Sequence, residues 1–186
     1  MAEISEYSRV TPAIERLAQV CLANSQINRD DYLRYNVKRG LRDLDGTGVL
    51  AGLTEISEII SSKTVNGEQQ PCPGELYYRG YSIQELTDGF LSDGRFGFEE
   101  TAYLLMFGQL PDAAQLEQFN RQLAFYRSLP TNFVRDVILK APSPDMMNTL
   151  ARCVLTMASY DERPDDISLP NLFRQCNVII AIFPLS

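Results

Sequence analysis

The sequence predicts an all-α protein carrying a small β-hairpin insert. Three observations lead there. Apolar residues recur at helical spacing through most of the 186 residues, and helix start and stop residues punctuate that pattern at short intervals. One stretch, from about 53 to 81, breaks it with glycines, β-branched residues and tyrosines.

In the first helix Ile14, Leu17, Ala18, Cys21 and Leu22 fall on one stripe at i, i+3, i+4, i+7 and i+8. Thr11 and Pro12 supply an N-cap and a first helical residue, which predicts a helix over 12–24. A second, polar helix is expected after Asn28, through Asp31, Leu33 and Val37 to the region of Gly40. Gly46, Gly48 and Gly52 then forbid a stable helix. Thr54, Ile56, Ile59 and Ile60 predict a strand over about 53–60, and Tyr77, Tyr78 and Tyr81 mark a second over about 75–81. The intervening residues include Asn66, Gly67, Pro71, Pro73 and Gly74 and read as a loop that returns the second strand beside the first.

Short helices follow over 82–88, 98–108, 113–129, 131–140, 144–159 and from 170 to the end. Ser82, Asp112, Thr131 and Ser143 mark starts; Gly89, Gly108, Pro130 and Pro142 mark stops. The helix over 144–159 shows Met147, Leu150, Val154 and Met157 on one stripe, widened by Met146, Ala151, Cys153 and Ala158. Residues Val178 to Phe183 are apolar on every side, so that helix needs cover all round, in a larger domain or a subunit interface. The sequence runs only three residues further, which reads as an unfinished core.

Composition narrows the chemistry. Twenty-four acidic side chains oppose 17 Lys and Arg, for a formal charge of −7, and there is no histidine. Ser-His-Asp and Cys-His nucleophile systems, His-ligated zinc and HExxH chemistry are thereby excluded. Any acid or base must be Asp, Glu, Lys, Tyr or Cys. The acidic balance argues against nucleic-acid binding, and the short cluster Arg34, Lys38, Arg39 and Arg42 reads as a solvated helix face. Cys21, Cys72, Cys153 and Cys176 form no CxxC pair and read as mostly buried thiols of a cytoplasmic protein. Charges within the first twenty residues interrupt any signal-peptide core, and the run Val178 to Phe183 is too short to span a membrane.

The string Asp43-Leu44-Asp45-Gly46-Thr47 matches the DxDGT signature of haloacid-dehalogenase-like phosphatases, where one Asp is nucleophile and the other general acid/base beside Mg²⁺. That chemistry needs a buried parallel strand before the motif, whereas residues 35–42 are polar and basic. A turn after a helix is the simpler reading. Asp165 and Asp166 read as solvated loop acids. Glu99 and Glu100 read as first-turn residues facing a helix dipole, and Tyr77, Tyr78, Arg79 and Tyr81 as a half-buried strand. Gly46, Gly48 and Gly52 make no phosphate loop. No complete catalytic constellation emerges, and no catalytic, cofactor-binding or metal-binding residue is assigned.

Two longer strings, 48–57 (GVLAGLTEIS) and 74–86 (GELYYRGYSIQEL), resemble the N-terminal part of citrate synthases. The likeness continues through 98–111 (FEETAYLLMFGQLP) and, more weakly, Leu129-Pro130 and Lys140-Ala141-Pro142. A His-Pro-Met string common in the family is replaced here by Ser143-Pro144-Asp145-Met146. The resemblance implies the family's large helical domain, incomplete, over 41–186, with residues 1–40 as a helical extension. It implies an acyltransferase that joins acetyl-CoA, oxaloacetate and water into citrate and CoA, the acyl group becoming alkyl on transfer, in the tricarboxylic acid cycle. A 2-methylcitrate synthase using propionyl-CoA is the nearest alternative; a non-enzymatic helical interaction module is another. The family's catalytic His and Asp residues and substrate-binding Arg residues map to none of these 186 positions, which implies inactivity of this chain alone. No metal or redox cofactor is implied beyond the CoA thioester substrate, and a homodimer is implied through helices near 144–159 and 170–186.

Overall fold

The computed structural model describes residues 9–24, 26–37, 40 and 49–185. The chain divides into two compact units, one formed by Met1–Val20 with Ala113–Ser186 and the other by Cys21–Asp112. Helices dominate, and a three-stranded antiparallel sheet in the order β1-β2-β3 supplies the insert.

Helix α1 spans Pro12–Ala23 and starts where its cap predicts, with the Ile14 amide donating to Thr11 Oγ1 at 3.3 Å. Ile14 and Ala18 are buried, while Leu22 at the end of the stripe is exposed. Helix α2 is shorter than its sequence suggests, Arg29–Arg34, with Asn28 as N-cap accepting from the Asp30 amide. Its polar composition offers no apolar face to extend. Lys38, Arg39 and Arg42 of the basic cluster, and the whole 43–47 string with Asp43 and Asp45, lie outside the described residues.

The sheet corrects the expected strand boundaries. Strand β1 is Ser57–Val65 and β2 is Glu68–Tyr78, so most of the expected loop is strand. The return is made by Asn66 and Gly67 alone, at φ 52° and 85°, between the paired residues Val65 and Glu68. Both signs are those of a type I′ turn, whose twist matches the flanking strands. Pro71 pairs with Ser62 in the ladder, a place open to proline only where its nitrogen faces away from the partner strand. The register shifts between Ile60 and Ser62, opposite Cys72, Pro73 and Gly74. A second two-residue turn, Arg79 and Gly80 at φ 50° and 88°, leads to a third strand, β3, Tyr81–Ser82.

Helix α3, Ile83–Ser92, opens with a full capping box: Ser82 Oγ accepts from the Glu85 amide and Glu85 Oε2 accepts from the Ser82 amide. It runs through Gly89 rather than stopping there, a tolerance that costs about 1 kcal/mol relative to Ala, and ends before Gly94 at φ 64°. Helix α4, Phe98–Phe107, ends on Gly108 at φ 78° as expected. Between α3 and α4 the Phe90 ring lies over Gly97, where an added Cβ would sit 2.1 Å from a ring carbon. Helix α5 is Ala113–Tyr126, burying Phe119, Leu123 and Tyr126. The expected helix over 131–140 is a π-helix, Val134–Leu139. Helix α6, Met146–Met157, is capped by Asp145 rather than Ser143, and α7, Leu169–Ile182, starts with Pro170 in its first turn. Helices α5 and α7 pack together. The segment apolar on all sides is buried at Val178, Ala181 and Ile182, half-buried at Ile179 and Ile180, and exposed at Phe183.

Candidate functional site

The polar groups of α7 converge on one place. Asn171, Arg174 and Asn177, spaced by three, are all fully buried, a row of polar side chains on a helix otherwise apolar on that side. Arg174 Nη2 donates to both carboxylate oxygens of Asp161, at 2.8 and 2.6 Å, and Arg174 Nε donates to Asn171 Oδ1 at 3.0 Å. Gln175 Nε2 donates to Asp161 Oδ2 at 3.1 Å, and the Arg163 amide donates to Asp161 Oδ1 at 2.9 Å. Asn171 Nδ2 donates to the carbonyls of Arg163 and Asp166 at 3.0 and 2.8 Å. Asp166 also pairs with Arg163 and accepts from the Ser168 amide. The segment 161–168 is thus tied to the first turns of α7.

Electrostatics follow from this arrangement. Burial pushes the Asp161 carboxyl up, but the hydrogen bonds from Arg174, the Arg163 amide and Gln175 outweigh it, so the group titrates below its ordinary value. The ion pair is deep: the side chains are 2 % and 14 % exposed. A cavity of about 180 Å³ opens beside it, lined by Val154, Met157, Pro164, Val178 and Ile179. With Asp161 already on its guanidinium, Arg174 acts as a structural clasp between loop and helix.

A second buried guanidinium stands in the other unit. Arg79, in the left-handed turn between β2 and β3, donates from Nη2 and Nε to the Leu105 carbonyl at 3.1 and 3.4 Å and from Nη1 to the Asn24 carbonyl at 3.4 Å. Asn24 in turn donates to the Phe107 carbonyl at 2.9 Å. Leu105 and Phe107 belong to the last turn of α4, whose carbonyls lack helical partners and carry the negative end of its dipole. The Tyr-Arg-Gly-Tyr string therefore encodes a hairpin turn and a helix cap together.

The remaining sequence candidates separate. Glu100 does more than face the α4 dipole, since it pairs with Arg95 at 2.5 Å. Asp165 is exposed and Asp166 belongs to the clasp. Tyr77 and Tyr78 are half-buried as expected, whereas Tyr81 is exposed and Arg79 lies in a turn after the strand ends; the Tyr77 hydroxyl donates to Glu75, which also accepts from Lys63. Cys153 is buried, Cys21 and Cys72 are half-buried and Cys176 is exposed, so mostly buried thiols is too strong a reading. On α6, Cys153 and Met157 are buried but Met146, Met147 and Leu155 are more than two-thirds exposed. Among the described residues no cluster of three His, Cys, Asp or Glu is placed to hold a metal, and no helix is long and apolar enough to cross a membrane. The clasp itself escaped sequence reasoning; the signal was the spacing of three between Asn171, Arg174 and Asn177.

Comparison with known proteins follows the same lines. The family model described as citrate synthase, C-terminal domain, matches residues 43–185. A 2-methylcitrate synthase 1 of Corynebacterium glutamicum is 30 % identical over 128 residues, 69 % of this chain and 28 % of its own length. A citrate synthase of Haloferax volcanii is 32 % identical over 132 residues, 69 % of this chain and 29 % of its own length. The chain therefore spans less than a third of either relative. The crystal structure of citrate synthase from Pyrobaculum aerophilum aligns over 77 % of this chain and 36 % of its own, with a TM-score of 0.55 at 25 % identity. A helical chain with this sheet insert and these motifs in order, matched by the family model over most of its length, belongs to the citrate synthase family.

Proposed function

We propose that this chain is the scaffold part of an acyltransferase that condenses acetyl-CoA with oxaloacetate and water to give citrate and CoA, and that it does not turn over alone. Family membership over residues 43–185 carries the reading. The absence of histidine from all 186 residues supports the second half, because the chemistry implied by the family resemblance uses two histidines. In this reading the clasp and the Arg79 cap hold the scaffold's shape, and acids, bases and substrate-binding arginines come from outside these residues. Residues 41–186 are read as part of the large helical domain and 1–40 as its extension. The protein is read as cytoplasmic, without a metal or redox cofactor, and as binding neither nucleic acid nor membrane.

A 2-methylcitrate synthase acting on propionyl-CoA is the second reading, favoured by the 2-methylcitrate synthases among the relatives. Dimerisation is proposed through α6 and α7, within the expected 144–159 and 170–186 segments, on the strength of exposed Met146, Met147 and Leu172. CoA release from acetyl-CoA and from propionyl-CoA, followed with a thiol reagent in the presence of oxaloacetate, tests the function. The 186-residue chain is expected to show no turnover; activity from it alone overturns the placement of the chemistry. Light scattering on the same sample tests the dimer, and a monomer at all concentrations would refute it.

A further inference from the structure

On the flank of α6, away from the clasp, an open groove of about 570 Å³ lies between the π-helix and α6, lined by Asp136, Val137, Lys140, Ala141, Arg152, Leu155 and Thr156. Its charges do not cancel. Asp136 is already held by two hydrogen bonds from Arg135, both at 2.8 Å. Those bonds first, and the nearby charge of Lys140 after them, keep Asp136 below the ordinary carboxylate range against the effect of burial. Arg152 and Lys140 form no ion pair among the described residues. The Arg152 guanidinium is anchored through Nη2 to the Ala141 carbonyl at 2.6 Å and Thr149 Oγ1 at 3.5 Å, while its Nε is buried without an acceptor. That donor has no accessible surface, so the part of the guanidinium a ligand can meet is the planar edge that lines the groove, a shape suited to an oxyanion.

We propose that this groove binds a small oxyanion, a carboxylate or a phosphate, between the Arg152 guanidinium and the Lys140 ammonium, with Leu155 and Val137 as its apolar wall. The inference stands apart from the acyltransferase reading, since it uses no residue of the clasp and no activity. The ¹⁵N-labelled chain, titrated at constant ionic strength with pyrophosphate and separately with tricarballylate, tests it through the Arg152 Nε–Hε resonance. That signal is assigned by its loss in Arg152→Lys. A saturable shift in at least one titration is expected, and the anion that saturates at lower concentration names the class. Lys140→Gln, an exposed change that leaves the Arg152 anchor intact, should weaken that midpoint about tenfold, the size of one charge-assisted contact. Lys63→Gln, in the other unit, should leave it unchanged. A shift that rises linearly without saturating for both anions, or a midpoint insensitive to Lys140→Gln, overturns the proposal.

Discussion

Arg174 and Arg79 are both withdrawn from water, one in each compact unit, and they are neutralised in different ways. Arg174 meets a carboxylate that is itself nearly buried. Arg79, with its side chain 6 % exposed, meets carbonyl oxygens at the end of a helix, and the Glu55 carboxylate stands 4.0 Å away and half in solvent. The first arrangement joins two full charges whose desolvation must be offset by geometry. The second joins one charge to a dipole end, and loses less when broken. Buried arginines are therefore not equivalent parts, even in the same scaffold.

The largest effect should follow from Arg174→Met, which strands the Asp161 carboxylate and leaves Asn171 Oδ1 without the donor it has in Arg174. A loss of about 3–5 kcal/mol is expected by urea unfolding, the usual size for removing one partner of a buried pair. Asp161→Asn should couple strongly to it in a double-mutant cycle; additive losses would mean the clasp is not one unit. Arg79→Ala comes next, at about 1.5–3 kcal/mol for charged hydrogen bonds. Glu55→Gln should hardly alter that figure, and strong coupling between the two would erase the distinction drawn between the arginines. Third, acid should act on one arginine only. Because the folded Asp161 carboxyl titrates below its unfolded value, its contribution is complete above the unfolded pKa of about 4 and is lost as pH falls through the lower folded value. The acid limb of a stability profile should flatten in Asp161→Asn and stay unchanged in Arg79→Ala. The smallest effect belongs to Lys63→Met. Its pair with Glu75 at 2.9 Å is open to solvent, and the thermal midpoint should not move measurably.

Local signals were legible wherever one residue settles one hydrogen bond. Thr11, Ser82 with Glu85, and Gly108 each announce a helix end, and the structure makes the bonds they announce. Elements that depend on partners distant in sequence were not. Pro71 and Pro73 read as loop residues because proline lacks a donor, and only the register of β1 shows that β2 can accommodate them. The π-helix at Val134–Leu139 has the apolar content of any short helix, and nothing in its residue types sets its wider turn. The clasp needs Asp161 and Arg174, thirteen residues apart, folded onto each other, so neither looks special in the linear text. Motif likeness reached the family while leaving this cluster unseen.

Met146 and Met147 stand side by side in the first turn of α6 at 79 % and 72 % exposure, whereas Met157 at its last turn is buried. Thioethers so exposed convert readily to sulfoxides under mild peroxide, and buried ones lag behind. The helix thus carries its own chemical footprint: sulfoxide formation at 146 and 147, read by mass spectrometry against 157, reports whether that end of α6 is covered in any assembly the chain enters. A covering surface would also face two polar sulfoxides after oxidation, so oxidative damage and loss of association should travel together.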